Sequence, residues 1–303
     1  MTAHIMPTTQ RDHATAGANG STRVVMLGTG TPLPDPDRSG PATAIVVNGT
    51  PYLIDFGPGV IRRAAAAYRN GVTEFGERGC TNIRTAFLTH LHSDHTMGYP
   101  DLIFTPWIMG RKAPLEVFGP KGLKAMTRNV LKAWEIDIGV RTKKSHNDTG
   151  WKVNAHEIKP GIVYQDGNVK VTAFLVHHGD VRPAFGFRFE TPDRTIVISG
   201  DTSPIPALVE NAQGCDVLIH EAYSLESYRT APPRWQKFRR SHHTSSAELA
   251  EIANKIEPGL LVLYHPSNAG SGPSTARDDE ILIEEIRQTY KGKVVAAHDL
   301  DVF

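Results

Sequence analysis

Short apolar runs recur along the chain from Thr22 onward, rich in β-branched residues and separated by Gly, Pro and Asp. Such runs predict β-strands at 23–27, 42–47, 52–54, 85–88, 115–118, 169–176, 185–189, 195–198, 217–219, 260–263 and 294–297. Apolar residues at helical spacing predict helices at 60–68, 122–134, 204–211, 245–255 and 278–290. Early strands come in pairs and later strands alternate with helices, which predicts a mixed α/β domain built in layers.

The two ends of this pattern suggest how the chain is divided. Residues 1–21 are polar and lack an apolar stretch, so we expect a disordered N-terminal tail rather than a secretory signal. No repeat or linker interrupts residues 22–303, which are predicted to form a single domain. Segment 135–167, rich in Lys, Asn, Asp and Gly, is predicted to be a surface insertion shaped as a solvated hairpin. No run of 18 apolar residues is present, so we expect neither a membrane-spanning helix nor a membrane partner.

Composition narrows the class of protein. The 303 residues include 33 Lys and Arg against 32 Asp and Glu, a net charge of +1, so no global field attracts nucleic acid and any such partner must be held locally. Only 2 Cys are present, which argues against a disulfide scaffold and fits the reducing cytoplasm. The 14 His are the unusual feature.

The densest cluster of metal-binding side chains follows the predicted strand 85–88. His90, His92, Asp94 and His95 lie within six residues. In extended backbone, residues two apart point to the same side, so His90 and His92 can face one metal ion. Asp94 and His95 can face a second ion where the chain turns away. Imidazole and carboxylate ligands together suit zinc, iron or manganese.

Further His, Asp and Glu residues follow other predicted strands. Such strand ends are where α/β sheets gather ligand and catalytic groups. The residues concerned are His177, His178, Asp201, His220, Glu221 and His265. Any one of these residues alone is more typical of a structural polar group. Their repetition at several strand ends indicates a metal or catalytic site.

With these residues the sequence resembles the metallo-β-lactamase fold superfamily, and within it the ribonuclease Z-like and arylsulfatase-like hydrolases. The resemblance extends from Val24 to Leu300. The motifs that carry it are LGTGTP at 27–32, LIDFG at 53–57, HLHSDH at 90–95, His178 before PAFGF at 183–187, SGDT at 199–202, HEA at 220–222, HT at 243–244 and LYH at 263–265. It implies an αββα sandwich, with two mixed β-sheets flanked by helices and a dinuclear site at one edge.

The resemblance also implies a ligand set. It assigns His90, His92 and His178 to the first metal, Asp94, His95 and His265 to the second, and Asp201 to both. Two Zn²⁺ per chain are expected, with Mn²⁺ or Fe²⁺ as alternatives. Asp55, at another strand end, is expected to accept the second N–H of a ligand imidazole and fix its tautomer.

Catalytic roles follow from this arrangement. Two ions about 3.5–4 Å apart can share a hydroxide and clamp the attacking and leaving oxygens, which makes the chain a hydrolase. Asp94 is predicted to orient this hydroxide or take its proton. His243, supported by Glu221, resembles the pair that protonates the leaving group in ribonuclease Z-like enzymes, and His242 is the alternative.

The substrate is less constrained by the sequence. Ribonuclease Z grips tRNA with an arm, which short bacterial forms insert between the strands that here are predicted at 185–189 and 195–198. Only a tight turn fits that interval. We therefore expect a small-molecule ester, a phosphodiester or aryl sulfate, and no nucleic-acid partner.

Apolar residues near the motifs are expected to line the substrate pocket, namely Phe104, Trp107, Tyr223 and Trp235. The alternatives are a tRNA 3′-processing endoribonuclease, a lactonase or thiolester hydrolase, and a non-catalytic metal-binding interaction module. The resemblance to ribonuclease Z also implies a homodimer.

Overall fold

Two β-sheets packed face to face form the centre of the computed structural model, which describes residues 22–267 and 275–303. The predicted tail 1–21 lies outside the described residues. In the first sheet, β1, β2 and β3 are antiparallel and β3 to β6 are parallel, in chain order across the sheet. Its strands are β1 Thr22–Gly28, β2 Ala42–Val47, β3 Thr50–Ile54, β4 Thr85–Phe87, β5 Leu115–Gly119 and β6 Val153–Glu157.

The second sheet holds the remaining strands in the order β13-β12-β11-β10-β9-β8-β7. Strands β7 to β10 are antiparallel, and β10 to β13 are parallel. Their bounds are β7 Gly161–Gln165, β8 Lys170–His178, β9 Val181–Glu190, β10 Thr195–Ile198, β11 Val217–Glu221, β12 Leu260–Tyr264 and β13 Val294–Ala296.

Helices cover the outer face of each sheet. They are α1 Val60–Arg69, α2 Ser93–Thr96, α3 Tyr99–Ile108, α4 Leu123–Ala133, α5 Glu135–Lys144, α6 Pro206–Ala212, α7 Leu225–Thr230, α8 Pro233–His242, α9 Ser246–Ile256 and α10 Ala276–Arg287, with short 3-10 turns at Thr73–Phe75 and Glu77–Gly79. Within residues 22–267 and 275–303, none of them is both long and apolar enough to cross a bilayer.

Three buried apolar layers hold the sandwich together. The middle layer lies between the sheets, where Phe87 of β4 meets Phe187 and Phe189 of β9 at ring distances of 5.6 and 5.3 Å. An outer layer packs α1 and α3 against the first sheet. The other packs α6, α9 and α10 against the second sheet. Because the central strands of each sheet are buried on both faces, they are continuous apolar runs, and the predicted αββα architecture is confirmed.

Segment 135–167 differs from the expected surface insertion. It contains α5, then β6 at the edge of the first sheet, then β7 at the edge of the second. The two strands pair with different sheets rather than with each other, so no hairpin forms. The segment is therefore the crossover between the sheets, and its polar composition reflects the half-exposed position of edge strands.

The turn between β9 and β10 is as short as predicted. Glu190 and Thr195 are paired in register, and the Thr191 amide donates a hydrogen bond to the carbonyl of Arg194 at 2.9 Å. No arm emerges at this point. The parallel strands of both sheets instead direct their carboxyl ends to one edge, where the loops with the predicted site residues converge.

Candidate metal centre

The loop after β4 gathers three imidazoles and one carboxylate. The rings of His90 and His92 are 4.8 Å apart, and those of His90 and His95 are 4.1 Å apart. Helix α2 begins at Ser93, so the chain tightens directly after His92 and brings Asp94 back towards the sheet. His90, Asp94 and His95 are buried, and His92 is half-buried at the mouth of the site.

The end of β8 adds His178 to this cluster. Its Nδ1 donates a hydrogen bond to the carbonyl of His242 at 2.8 Å, and its Nε2 lies 3.1 Å from His92 Nδ1. His177 points to the opposite side of the strand and is exposed, whereas His178 is buried. This alternation is what extended backbone predicts, and it selects His178 from the adjacent pair.

Asp201 lies between two sets of imidazoles. Its Oδ1 is 3.5 Å from His95 Nε2, and its Oδ2 is 3.6 Å from His265 Nε2 and 3.9 Å from His178 Nε2. The loop turns at Gly200, which has a φ of 62°. A Cβ there would come 3.0 Å from a Thr89 side-chain atom, so the turn depends on glycine.

The candidate ligand atoms form three groups, each with its atoms within 4.8 Å of one another. The first is His90, His92, His178 and Asp201, the second is Asp94, His95 and His265, and the third, Asp201, His243 and His265, shares one residue with each of the others. His90 Nε2, His95 Nε2 and Asp201 Oδ1 are buried and make no hydrogen bond within the described ranges 22–267 and 275–303. Buried polar atoms without a partner are costly, and a divalent cation would satisfy all three. The residues thus fit two ions of the kind that imidazole and carboxylate bind.

The electrostatics of the cluster also favour a cation. Burial lowers the pKa of His90 well below its usual value and that of His178 to about 3, so both rings are neutral with a lone pair available. Burial also acts to lower the pKa of His95, but Asp201 and Asp55 outweigh it and raise that pKa well above its usual value. The surrounding carboxylates thus favour a positive charge at His95. A bound metal ion would supply that charge.

Asp55 lies behind the candidate ligand imidazoles and contacts them directly or through Thr89. Its Oδ2 lies 2.8 Å from His95 Nδ1, and its Oδ1 accepts a hydrogen bond from the Thr89 amide at 2.8 Å. The Thr89 hydroxyl lies 3.0 Å from His90 Nδ1 and donates to Asp55. His95 Nδ1 therefore carries its proton towards Asp55 and His90 Nδ1 carries its proton towards the Thr89 hydroxyl oxygen, so both Nε2 atoms face the cluster.

Replacing Asp55 with Asn is expected to weaken metal binding about 10–100-fold, because Asn has no negative charge and only one acceptor oxygen for the Thr89 amide and His95 Nδ1. Asn tolerates the left-handed conformation of this residue, whose φ is 57°. Chelator competition on the purified protein measures the affinity. Asp299→Asn is the control, since the Asp299 carboxylate accepts from the amides of Thr29 and Ser39 and contacts no imidazole. Equal affinity in Asp55→Asn and the parent protein would refute the role of Asp55.

His243 and Glu221 form a buried pair beside the ligands. His243 Nδ1 lies 3.2 Å from Glu221 Oε1, and the His243 ring lies 5.2 Å from that of His178. The amides of Thr202 and Thr244 donate to the same Glu221 oxygen. Burial lowers the pKa of His243 to about 4 and raises that of Glu221 well above its usual value, because it disfavours charge on either group.

A cavity of about 300 Å³ opens onto the cluster. Its walls are Thr31, Pro32, Leu33 and Ser267 on one side and Trp235 and Phe238 of α8 on the other, with the ligand side chains His92, Asp94, His178, Asp201 and His265 and the neighbouring His243 at its base. Trp235, Phe238 and His242 are spaced as one face of a helix, so α8 lies over the site. This face could have been recognised in the sequence from its aromatic spacing within an otherwise basic segment.

Three of the four expected pocket residues lie elsewhere. Phe104 and Trp107 are buried in the layer between the first sheet and its helices, and the Trp107 indole donates to the Asn147 carbonyl. Tyr223 is buried against Tyr228. These side chains are structural, because α3 and the loop after β11 turn them into the core. Trp235 alone of the four lines the cavity.

The other histidines near the motifs lie outside the cluster. His220 donates to the Glu221 carbonyl and is buried under the site. His242 stacks on Phe238 at 4.1 Å and contacts the Phe238 carbonyl, whereas His243 is the one of the two that lines the cavity. His298 pairs with Asp279 on α10. The predicted seven ligands, Asp55, Glu221 and His243 are thus brought together, and their roles remain predictions.

Comparison with known sequences gives the chain a family context. The family model of the Beta-lactamase superfamily domain matches residues 50–266. A protein of Mycobacterium bovis named Ribonuclease Z is 35% identical over 247 residues, which cover 80% of this chain and 85% of that protein. A protein of the same name from Mycobacterium marinum is 36% identical with the same coverage.

Solved structures share the fold at lower identity. The metallo-beta-lactamase fold protein YhfI from Bacillus subtilis has a TM-score of 0.67 and 18% identity, and the match covers 93% of this chain and 99% of that one. The short form of human tRNase Z has a TM-score of 0.65 and 24% identity, with coverage of 93% and 98%. At these identities the likeness concerns the fold alone.

Proposed function

Because the chain belongs to the β-lactamase superfamily and has the fold of its metallohydrolases, we propose that it is a metal-dependent endoribonuclease that processes the 3′ end of tRNA precursors. The observation that carries this proposal is the similarity to proteins named Ribonuclease Z, at 34–36% identity over 80% of the chain. The retained set of ligand, carboxylate and His–Glu groups supports it.

The same relatives correct two expectations from the sequence. A small-molecule ester as the substrate and the exclusion of nucleic acid as a partner are both wrong, because the relatives are ribonucleases. The error came from two inferences, one from the tight turn that replaces an arm between β9 and β10 and one from the net charge of +1. Net charge sums the whole surface, whereas phosphate binding depends on where the Lys and Arg side chains are concentrated.

The site residues suit hydrolysis of a phosphodiester. Bound divalent ions would lower the pKa of water and offset negative charge on the phosphate. Asp94, whose Oδ2 lies 3.2 Å from His265 Nε2, is placed to orient the attacking water and accept its proton. His243 is placed to pass a proton to the leaving oxygen, and Glu221, whose pKa burial raises well above its usual value, lies 3.2 Å from His243 Nδ1 and can replace that proton.

The aromatic wall of the cavity suits a nucleobase. Trp235 and Phe238 meet edge to face at 5.6 Å, and both line the cavity above the ligands. Stacking on such side chains tolerates any base, because every base has an aromatic face. The wall would hold a nucleotide next to the cut without reading its identity.

Trp235→Ala is expected to raise KM for RNA cleavage about 5–100-fold with little change in kcat, because base stacking on one aromatic residue contributes roughly 1–3 kcal/mol. Steady-state kinetics with a labelled RNA substrate measures both constants. Trp151→Ala removes a tryptophan that contacts Asp148 outside the cavity and serves as the control. A fall in kcat at unchanged KM would contradict the stacking role.

The direct test of the proposed function uses a tRNA precursor with a 3′ trailer, labelled separately at each end. Protein loaded with Zn²⁺ or Mn²⁺ is expected to release the trailer by one cut after the discriminator nucleotide. The positions of both new ends are mapped by sequencing gel. A metal-loaded protein that leaves the precursor uncut, or that cuts it at scattered positions, would refute the proposal.

A further inference from the structure

Helix α4 presents a row of positive charge to solvent. Lys124, Arg128 and Lys132 are four residues apart, so they share one face of the helix, and all three are exposed. Lys121 precedes the helix and is exposed as well. Residues 121–134 contain no Asp or Glu. We call these four side chains the α4 basic row.

The row is not neutralised by neighbouring carboxylates. Among residues 22–267 and 275–303, nearby cations such as Arg141 and Lys152 form ion pairs, with Asp137 and Asp148, but the α4 basic row forms none. One acidic group lies at the start of the row: Glu157, whose Oε1 accepts from the backbone amides of Gly122 and Lys124. The four cations therefore form a local excess of positive charge, although the whole chain has a net charge of only +1.

The row begins beside the metal centre. The residue before α4 is Gly122, and a Cβ there would come 2.7 Å from Leu91 Cδ1. Leu91 stands between His90 and His92 in the chain, so the start of α4 packs on the loop that carries the ligands. The 11 residues of α4 rise about 1.5 Å each, and the row therefore extends roughly 16 Å from that contact.

A groove runs beside Lys124 and Arg128, the middle of the row. It has a volume of about 360 Å³ and lies between α4 and β6, the edge strand of the first sheet. Lys124 and Arg128 form its basic side, and Leu131, Val153 and Ala155 form its apolar side. A polymer with a regularly charged backbone fits such a surface better than a small anion does, because the cations are spread along a line.

We propose that the α4 basic row binds the sugar-phosphate backbone of the RNA whose end enters the metal centre. This inference rests on the proposed function. It identifies an RNA-binding surface in a chain that has only a tight turn, and no arm, between β9 and β10. Cations about 6 Å apart along the helix meet successive negative charges, and each contact releases counterions from the RNA. Because the start of α4 packs on Leu91, RNA bound along the row would lead directly to the metal centre where it is cut.

The test compares two triple variants with the same change in charge. Lys124→Gln, Arg128→Gln and Lys132→Gln together remove the row from α4. Lys255→Gln, Lys291→Gln and Lys293→Gln remove three exposed cations near the amino ends of the parallel strands of the second sheet, away from the metal centre. Binding of the metal-loaded protein to fluorescein-labelled tRNA without a trailer is followed by anisotropy at several salt concentrations.

The α4 variant is expected to raise Kd about tenfold, and to reduce the slope of log K against log salt by roughly 2–3, because each lost phosphate contact removes about 0.7–0.9 from that slope. The control triple variant should match the parent protein. Hydrolysis of bis(p-nitrophenyl) phosphate should be unchanged in the α4 variant, since its metal centre is intact.

The possible outcomes separate this inference from the proposed function. If the parent protein cuts the precursor but the α4 variant keeps the parental Kd and slope, the inference is refuted and the proposed function stands. If the groove instead binds an acidic protein, the Kd of the α4 variant for tRNA would likewise stay at the parental value. If the parent binds tRNA through the row but cuts no precursor, the proposed function fails and the RNA-binding surface stands.

Discussion

Replacing Asp201 with Asn is expected to lower kcat/KM for precursor cleavage roughly 10³-fold and to reduce the bound metal from two ions per chain to one or none. Asp201 is the carboxylate whose two oxygens face different imidazoles, with Oδ1 towards His95 and Oδ2 towards His178 and His265. Without its charge, both candidate ion positions lose an anionic ligand at once. Asn fills the same volume, so packing is retained.

Metal content per chain and cleavage kinetics, measured on the same preparation, check this prediction. Asp216→Asn is the matched control, because Asp216 accepts from the Thr195 amide at the opposite end of the strands. It should keep full metal content and activity. Two tightly bound ions in Asp201→Asn, with turnover near that of the parent, would show that Asp201 does not bridge the site. The His and Asp residues at the other strand ends would then have to hold the ions alone.

The strands that built the site were predictable because they are buried on both faces. Runs such as those of β10 and β12 leave few alternatives to a buried strand, and the residues after their carboxyl ends must meet at one edge. The positions of Asp201 and His265 followed from that rule. Their exact directions did not, since they depend on left-handed backbone at Gly200 and at His265 itself, which has a φ of 48°.

Elements with weak apolar patterns were missed. Strand β6 has the sequence VNAHE and lies half-exposed at a sheet edge, where only Val153 and Ala155 are apolar, so its alternation is too short to predict a strand. Helix α3 contains Pro100 and Pro106, which argue against a helix in isolation, yet it is buried against the first sheet. In both cases tertiary packing supplies the stability that the local sequence does not.

The pocket residues show a similar limit. Trp107 and Trp235 are both tryptophans close to a motif, but one is fully buried in the core and the other lines the cavity. Which side chain faces the site depends on how each helix is rotated about its axis. That rotation is decided by contacts with the sheet, which residue types and spacing near a motif do not specify.

His243→Ala is expected to lower kcat for precursor cleavage by roughly 10²–10⁴-fold while bound metal stays at the parental level. The His243 ring approaches the ligand cluster at 5.2 Å from His178, and its Nδ1 lies 3.2 Å from Glu221 Oε1. Its predicted task is to give a proton to the ribose oxygen that leaves. A ribose alkoxide is a poor leaving group, so the loss of that proton should slow the bond cleavage itself.

The leaving group therefore separates this role from a structural one. Nitrophenolate leaves without a proton, so His243→Ala should retain most of its activity on bis(p-nitrophenyl) phosphate while cleavage of the precursor collapses. His242→Ala, one residue away and stacked on Phe238, is the control and should affect both substrates alike and weakly. If His243→Ala impaired both substrates equally, or released metal, His243 would be acting through the ligands rather than as the proton donor.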